Sequence, residues 1–182
     1  MSNIFLCSDH HYNHSNILNF TDETGARVRD FDSVQEMNDT IINKHNSVVR
    51  PSDKVYFLGD VTMNTNARGL EFLGEMNGEK ILIKGNHDLC TAQQYLKYFK
   101  DIRGSHQLAG FILTHIPIHP DSLSRWAANV HGHLHTHQVR LKDNGIDPRY
   151  FNVSMERIDF TPVALDDLVL LIKNRLESSI KI

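Results

Sequence analysis

The amino-acid sequence predicts one α/β domain with mixed β-sheets, spanning residues 1–182. Apolar runs typical of buried strands alternate with segments of helical periodicity in the first half of the chain. The second half has shorter apolar runs and a hairpin-type turn at Asp143-Asn144-Gly145. A chain of 182 residues has the usual length of one domain and can bury a sizeable core.

The first half of the chain carries three strand signals and three helix signals. Ser33 followed by Glu36 predicts a helix start with a capping box, and apolar residues at helical spacing continue that helix until Pro51 ends the unit. Short apolar runs predict strands at 3–8, 54–58 and 79–83. Apolar residues at helical spacing predict two further helices at 67–76 and 92–98.

The second half carries three more strand signals, at 110–114, 129–133 and 150–153. Apolar residues at helical spacing over 165–176 predict a helix that closes the domain. We find no internal repeat, linker or low-complexity stretch, so the whole chain is assigned to one domain.

Composition excludes several classes of protein. The hydrophobic fraction of 40% and charged fraction of 23% argue against disordered and collagen-like chains. The formal charge of −3 gives no global basic field for nucleic-acid binding, although a local basic groove stays open. Cys7 and Cys90 are too few for a disulfide framework. Since no signal peptide or membrane-length apolar run is present, we expect a cytoplasmic protein without a membrane partner.

Histidine is the unusual residue of this sequence. The chain has 12 histidines, and they are clustered between His10 and His14 and between His106 and His137. Because neutral imidazole is the commonest side-chain ligand of transition metals, this clustering favours a metal site.

Polar residues follow five of the predicted strands. In layered α/β folds the crevice outside the carboxyl ends of the strands is where ligands bind, so these groups can converge on one site. They are Asp9-His10-His11, Gly59-Asp60, Gly85-Asn86-His87-Asp88, His115 and His131-Gly132-His133-Leu134-His135.

The spacing of these residues fits metal chemistry. In an extended chain, residues two apart point to one face, which suits the pairs Asp9/His11 and His133/His135. His10 leaves open which neighbouring histidine is the ligand, and the two-residue period favours His11. Glycines at the strand ends, Gly59 and Gly85, let the backbone approach a ligand closely.

The number of candidate ligands exceeds the needs of a single ion. Two Asp, one Asn and four His make seven N/O ligands, whereas one Zn²⁺ needs about four. Seven ligands with one bridging carboxylate suit two ions roughly 3.5–4 Å apart. Mixed carboxylate and imidazole donors favour Mn²⁺, Fe or Zn²⁺.

The ordered set Asp-x-His, Gly-Asp, Gly-Asn-His-Asp, His and Gly-His-x-His resembles the calcineurin-like metallophosphoesterase superfamily. A looser run, from Phe151-Asn152-Val153 to Pro162-Val163, resembles the tail of its small single-domain bacterial and phage members. The resemblance implies a four-layer αββα sandwich of two mixed β-sheets flanked by helices. Gly59-Asp60 is not followed by the Asp-Arg-Gly sequence of the protein Ser/Thr phosphatase branch, which argues against that branch.

The resemblance also implies roles for individual residues. The first ion would be held by Asp9, His11, Asp60 and His135. The second would be held by Asp60, Asn86, His115 and His133, with Asp60 bridging. The implied cofactors are two divalent ions, Mn²⁺ first, with Fe, Zn²⁺, Ni²⁺ and Mg²⁺ as alternatives.

Four further residues receive roles outside the ligand set. His87 would act at the leaving group, and Asp88 would orient an imidazole or accept a hydrogen bond beside the ions. His14 would lie near the substrate phosphate. Trp126 has two interpretations, a stacking surface for substrate or a partly buried packing residue.

The function implied by the resemblance is a phosphodiesterase in which a metal-bridging hydroxide attacks a nucleotide-like or other small phosphodiester. Alternatives are a phosphomonoesterase or a nuclease on the same site, a mononuclear metal hydrolase, and a non-catalytic metal-binding interaction module. Such modules tend to lose the His of the Gly-Asn-His block, which this chain keeps as His87. The expected partner is a small-molecule or nucleotide phosphoester, nucleic acid stays open, and no sequence feature defines an oligomeric state.

Overall fold

The structure is a computed structural model that describes residues 2–63 and 67–180. Two β-sheets form its framework. Their strands, in chain order, are β1 Ile4–Cys7, β2 Lys54–Phe57, β3 Glu79–Ile83, β4 Asp101–Arg103, β5 His106–Leu108, β6 Phe111–Leu113, β7 Ala128–His131, β8 Tyr150–Asn152 and β9 Val163–Ala164. The first sheet has the order β4-β3-β2-β1-β9 and the second the order β5-β6-β7-β8.

Both sheets are mixed. Strands β1 to β4 are parallel, and β9 joins the edge of β1 in the antiparallel sense. In the second sheet β6, β7 and β8 are parallel, and β5 pairs with β6 in the antiparallel sense. The carboxyl ends of β1, β2 and β3 therefore lie at one edge of the first sheet.

Four α-helices accompany the sheets in the described residues: α1 Val34–Val48, α2 Arg68–Glu71, α3 Ala92–Tyr95 and α4 Leu165–Ile180. At the start of α1, the Ser33 side chain accepts the N–H of Glu36 at 3.1 Å. The carboxylate of Glu36 accepts the N–H of Asp32 at 2.8 Å. The predicted capping box therefore differs by one residue, since the expected donor is the N–H of the N-cap residue Ser33. A complete capping box, which the sequence analysis missed, begins α3 with Thr91 and Gln94.

Alternation along the strands separates two cores. Phe5 and Cys7 of β1 pack in a cluster that includes Met37 and Ile41 of α1. Leu6, between them in sequence, points the other way into a cluster shared with Val130 of β7 and with α4. The molecule is thus an α/β structure of two mixed sheets flanked by helices, which fits the αββα sandwich that the resemblance implies.

Several elements differ from the sequence-based expectation. The helix predicted over 67–76 is only α2 followed by a 3₁₀ helix at Phe72–Gly74, and α3 is shorter than 92–98. The turn at Asp143-Asn144-Gly145 closes a single bridge between Arg140 and Ile146 rather than a hairpin. Strands β4, β5 and β9 were not predicted. Strands β6 and β8 are as short as β4 and β5 but consist mainly of apolar or aromatic residues, whereas β4 and β5 are mostly polar and β9 has only two residues.

The length and apolar character of the helices bear on whether they could span a membrane. Within residues 2–63 and 67–180, none of them combines the length and the apolar character that crossing a membrane requires.

Contacts between strand-end loops bring the polar residues together. The N–H of Asp9 donates to the carbonyl of Gly59 at 3.0 Å, which joins the loops after β1 and β2. The N–H of Gly132 donates to the carbonyl of His115 at 3.0 Å, which joins the loops after β6 and β7. A bridge between Ser8 and Ser154 ties the two sheets together at the same edge.

Candidate metal centre

Left-handed backbone shapes the loops that carry the candidate ligands. Asp9, His11, Asp60, His133 and His135 have φ values of 59°, 51°, 52°, 70° and 50°. Residues other than glycine rarely adopt this conformation, and such strain collects at functional sites. The pairs Asp9/His11 and His133/His135 are therefore not extended, and the predicted geometric reason for their convergence is wrong although their side chains do converge.

One group of three side chains forms beside the carboxyl end of β1. Ligand atoms of Asp9, His11 and His135 lie within 4.8 Å of one another. The distance from His11 Nε2 to Asp9 Oδ1 is 3.8 Å. The rings of His11 and His135 are stacked, with centroids 5.2 Å apart. These three residues could hold one metal ion.

A second group consists of Asp60, His115 and His133, whose ligand atoms also lie within 4.8 Å of one another. Asp60 Oδ2 is 3.3 Å from His115 Nε2 and 3.8 Å from His11 Nε2, so this oxygen faces both groups. These three residues could hold a second ion. All seven ligands predicted from the sequence are thus brought to one place, since Asn86 Oδ1 lies 2.9 Å from His115 Nε2.

The hydrogen bonds of His115 show that its donor set fits a cation. Its Nδ1 lies 2.7 Å from the carbonyl oxygen of Leu58, which can only accept, so Nδ1 carries a proton. In the neutral ring Nε2 is then a lone pair, and it faces the oxygens of Asp60 and Asn86. Three lone pairs pointing at one another require a positive charge among them. A proton on Nε2 or a metal ion would supply that charge, and a metal ion could be shared by all three atoms.

His11 gives a second observation of the same kind. Its side chain is buried, yet neither ring nitrogen has a hydrogen-bond partner among the described residues. Burial, and then the positive charge of Arg29, hold the pKa of His11 well below its usual value, so the ring is neutral. An unpartnered neutral imidazole that faces two carboxylates is suited to bind a metal ion.

His10, the alternative to His11, points away from the site. Its ring stacks on Phe57 with centroids 4.7 Å apart and is fully buried in the core below the loop. Burial lowers its pKa well below the usual range. The structure therefore leaves His11 as the histidine of this pair that faces the carboxylates.

The electrostatics of the second group couple a carboxylate to an imidazole. Burial acts to raise the pKa of Asp60, but the hydrogen bond and charge of His115 outweigh it, and the pKa falls. Burial acts to lower the pKa of His115, while Asp60 and Asp9 raise it above its usual value. A buried anion thus faces an imidazole of raised proton affinity, an arrangement that favours a cation between them.

Asp88 positions backbone rather than an imidazole. Its Oδ2 accepts the N–H groups of Asp60 at 2.9 Å and Gly85 at 2.8 Å. Its Oδ1 accepts the N–H of Val61 at 3.0 Å and the hydroxyl of Tyr95 at 3.3 Å. The expectation that Asp88 orients an imidazole is wrong. Its role as a hydrogen-bond acceptor beside the site agrees with the contacts, and both oxygens are occupied by them.

Glycines give the two carboxylates their space. A side chain at Gly85 would overlap the carboxylate and backbone of Asp60, and one at Gly132 would overlap the carboxylate of Asp9. The position of Gly85 at a strand end predicts close approach of the backbone to a ligand. The close approach is instead to the carboxylate that faces the site.

Two charged residues that the sequence analysis missed support the first group. The Glu156 carboxylate accepts hydrogen bonds from His135 Nδ1 at 3.0 Å and from Arg29 Nε at 2.7 Å. Burial by itself raises the pKa of Glu156, but Arg29 and His135 bring it down to about 2. Glu156 lies inside the tail run quoted above, whereas nothing in the loop around Arg29 signals a role.

A cleft opens beside the candidate ligands. Its volume is about 530 Å³, and its lining includes His133, His135, Leu134 and the ring of Phe20, which is 50% exposed. The His14 ring lies between His11 and Phe20, with centroid distances of 5.9 and 6.1 Å. This places His14 at the rim, where the sequence analysis expects it to meet substrate.

The two other predicted residues are differently placed. The His87 ring lies 5.8 Å from that of His11, and the backbone N–H of His87 donates to Asp60 Oδ1 at 2.8 Å, so His87 stands at the site. Trp126 packs on a small cluster that includes Leu123 and Tyr150. The packing interpretation agrees with these contacts, and the interpretation as a substrate-stacking residue stays a prediction.

Comparison with known proteins places the chain in one family. No model of a known protein family matches it. It is 37% identical over 177 residues to the uncharacterized protein MJ1445 of Methanocaldococcus jannaschii, across 95% of this chain and 93% of that protein. The crystal structure of AQ665, a protein of unknown function from Aquifex aeolicus, has a TM-score of 0.68 at 24% identity, across 94% of this chain and 100% of that chain.

A nuclease MPE from Pseudomonas putida matches with a TM-score of 0.48 at 18% identity, across 78% of this chain and 65% of that chain. This similarity is too low to support an argument. The similarity to the Aquifex structure shows that the fold recurs in another protein. A shared fold does not by itself indicate a shared activity.

Proposed function

We propose that this chain, which belongs to the same protein family as MJ1445 of Methanocaldococcus jannaschii, is a phosphoesterase that uses two divalent metal ions. In this proposal the family is a branch of the calcineurin-like metallophosphoesterases, and Mn²⁺ is the preferred ion. Hydrolysis of a small or nucleotide-like phosphodiester is the preferred reaction.

The observation that carries the proposal is the position of Asp60 between two groups of ligands. Its Oδ2 faces His115 of one group at 3.3 Å and His11 of the other at 3.8 Å. One carboxylate shared by two sets of N/O donors is what a pair of ions about 3.5–4 Å apart requires. A mononuclear hydrolase needs only about four ligands and would leave three of these seven converging groups without a use.

Two bound ions would lower the pKa of water to near neutrality and neutralise phosphate oxygens. Around them, this chain's own residues orient the reactants. Asp60 is held by the N–H of His87 and by Asp88, so its carboxylate needs no rearrangement when substrate binds. The His87 side chain stands beside the first group, where it can stabilise or protonate a leaving-group oxygen.

The cleft favours an ester with an apolar or aromatic part. Beside His133 and His135 its wall is formed by Phe20, Val28 and Leu134, which give apolar contact close to the ligands. A cleft of about 530 Å³ falls in the usual range for small-molecule sites. A nucleotide-like diester would place its phosphate at the ligand groups and a ring against Phe20.

The test is metal-dependent hydrolysis by chelator-stripped protein. We expect Mn²⁺ to restore turnover of bis-p-nitrophenyl phosphate, and to a smaller extent of p-nitrophenyl phosphate. Asp60→Asn should lose at least about 100-fold of this activity, because the charge of the carboxylate shared by the two ligand groups is removed. Asp101→Asn is the matched control, since Asp101 pairs with Arg103 on the surface strand β4.

Two results would overturn this proposal. Turnover that survives Asp60→Asn would place the chemistry elsewhere. Binding of two ions without turnover of these esters or of natural nucleotides would favour a non-catalytic interaction module.

A further inference from the structure

We propose that the buried pair Arg29–Glu156 positions the ligands of one metal ion only, the ion held by Asp9, His11 and His135. This inference rests on the proposed function, because it requires that two ions bind. Arg29 and Glu156 support this ion's ligands directly, so the affinity of this ion can be changed with little effect on that of the other.

Glu156 fixes the orientation of His135. Its ionised oxygen Oε1 accepts a hydrogen bond from the N–H at His135 Nδ1 at 3.0 Å, which leaves Nε2 with the lone pair that faces the site. A carboxylate behind a ligating imidazole sets its tautomer and increases its strength as a ligand. The other oxygen, Oε2, is buried without a hydrogen-bond partner in the described residues, so His135 and Arg29 both bond to Oε1 and no hydrogen bond to Oε2 competes with them.

Arg29 connects the same carboxylate to the loop that carries the other two ligands. Its Nε donates to Glu156 Oε1 at 2.7 Å. Its Nη1 donates to the carbonyl of His10 at 2.8 Å, and its Nη2 donates to the carbonyl of Asp9 at 2.5 Å. These carbonyls belong to the left-handed turn that directs Asp9 and His11 into the site.

Arg29 is fully buried. A buried guanidinium is costly to desolvate and is seldom favoured over apolar packing for stability alone. What this one does is hold two separate chain segments, the loop after β1 and the segment of Glu156, in one arrangement. The rigid fork of the guanidinium suits that task, because three donors in fixed directions specify three acceptor positions.

The second group has a different support. Asp60 is held through its own N–H and that of Gly85 by Asp88, which Tyr95 also contacts. His115 is oriented by the carbonyl of Leu58. In the part of the chain that the structure describes, the hydrogen bonds of Arg29 and Glu156 reach none of the second group's three ligands. The two groups are linked instead by the N–H of His133, which donates to the carboxylate of Asp9.

The experiment is a Mn²⁺ titration of the chelator-stripped full chain, with free Mn²⁺ followed by electron paramagnetic resonance. Wild-type protein should bind two ions. Glu156→Gln should weaken one of them by about 10–100-fold and leave the other within about 2-fold. Glu79→Gln is the matched control, since Glu79 also pairs with two cations, Lys54 and Lys100, but lies on β3 away from the site.

A second variant guards against loss of folding. Glu156→Gln leaves Arg29 without its anion, so the double variant Arg29→Met with Glu156→Gln removes both charges together, which proteins tolerate better. It should weaken the same single ion. A further measurement needs neither variant. In the unaltered, metal-free protein, ¹⁵N NMR should find the proton of the His135 ring on Nδ1.

Weakening of both ions equally, weakening of neither, or a His135 proton on Nε2 would overturn the inference. If wild-type protein binds fewer than two ions, the proposed function fails, and that failure is seen before any substitution is made.

Discussion

The Nε2 atom of His115 lies 3.3 Å from Oδ2 of Asp60 while its Nδ1 atom bonds to the backbone. We expect His115→Ala to cost more affinity for one ion than the roughly 10–100-fold that follows loss of a ligand's hydrogen-bond partner. Hydrolysis should fall in parallel. Metal titration and steady-state kinetics measure the two effects, and the exposed His119→Ala is the control. Full activity in His115→Ala would remove this histidine from the site.

Gly85 should be intolerant of any side chain. Because a Cβ there would overlap the carboxylate and N–H of Asp60, Gly85→Ala should shift Asp60 and lower turnover at least 10-fold. Overpacking of this kind also costs about 1–3 kcal/mol of unfolding free energy. Among the described residues, a Cβ at Gly104 meets nothing within 4 Å, so Gly104→Ala should be neutral in both turnover and denaturant unfolding. Equal behaviour of the two variants would contradict the crowding at Gly85.

Stability at acidic pH should depend on His45. Burial lowers the pKa of this histidine from 6.5 to about 4, although its bond to the Asn77 carbonyl acts the other way. The unfolded chain therefore binds a proton that the native state resists, and stability present above pH 6.5 is lost as the pH falls toward 4.

Between pH 7.5 and pH 5 this loss amounts to about 2 kcal/mol of unfolding free energy. His45→Gln removes the titrating ring, so its unfolding free energy should fall less over that range than that of the wild type. Urea unfolding at both pH values measures the difference. An unchanged pH dependence in the variant would assign the loss to other groups.

Phe20 should act on binding rather than on chemistry. Its ring forms one wall of the cleft beside His133 and His135, and stacking of an aromatic group on it is worth roughly 0.5–1.5 kcal/mol. Phe20→Ala should raise KM for bis-p-nitrophenyl phosphate about 3–10-fold with little change in kcat. Leu96→Ala, at an equally exposed apolar position, is the control. A fall in kcat without a change in KM would place Phe20 outside the substrate wall.

His87 should matter most for poor leaving groups. If its side chain stabilises the departing oxygen, His87→Asn will slow esters of aliphatic alcohols more than esters of p-nitrophenol, which leave without a proton. The expected difference is about 10-fold or more between the two substrates. Equal slowing of both would assign His87 to positioning, through its N–H bond to Asp60.

Local pattern in the sequence was sufficient for much of the framework. Strands β1, β2 and β3 and helix α1 lie where apolar runs and helical spacing predict them. The mostly polar strand β4 and the two-residue strand β9 were not predictable, because neither has an apolar run of its own and each depends on the strand it pairs with. Helix α2 is shorter than its apolar spacing suggests, since tertiary context overrides weak helix propensity.

The sequence by itself determined which residue types stand after each strand, and so the donor set that could hold two ions. Only the tertiary structure decided how they are used. Through left-handed backbone, the His11 side chain points into the site and the His10 side chain points into the core. The carboxylate of Asp88 accepts hydrogen bonds from backbone N–H groups. The tertiary structure also brought Arg29 and Glu156 together across 127 positions of chain. Side-chain direction and long-range pairing depend on packing between segments, and no local pattern encodes that packing.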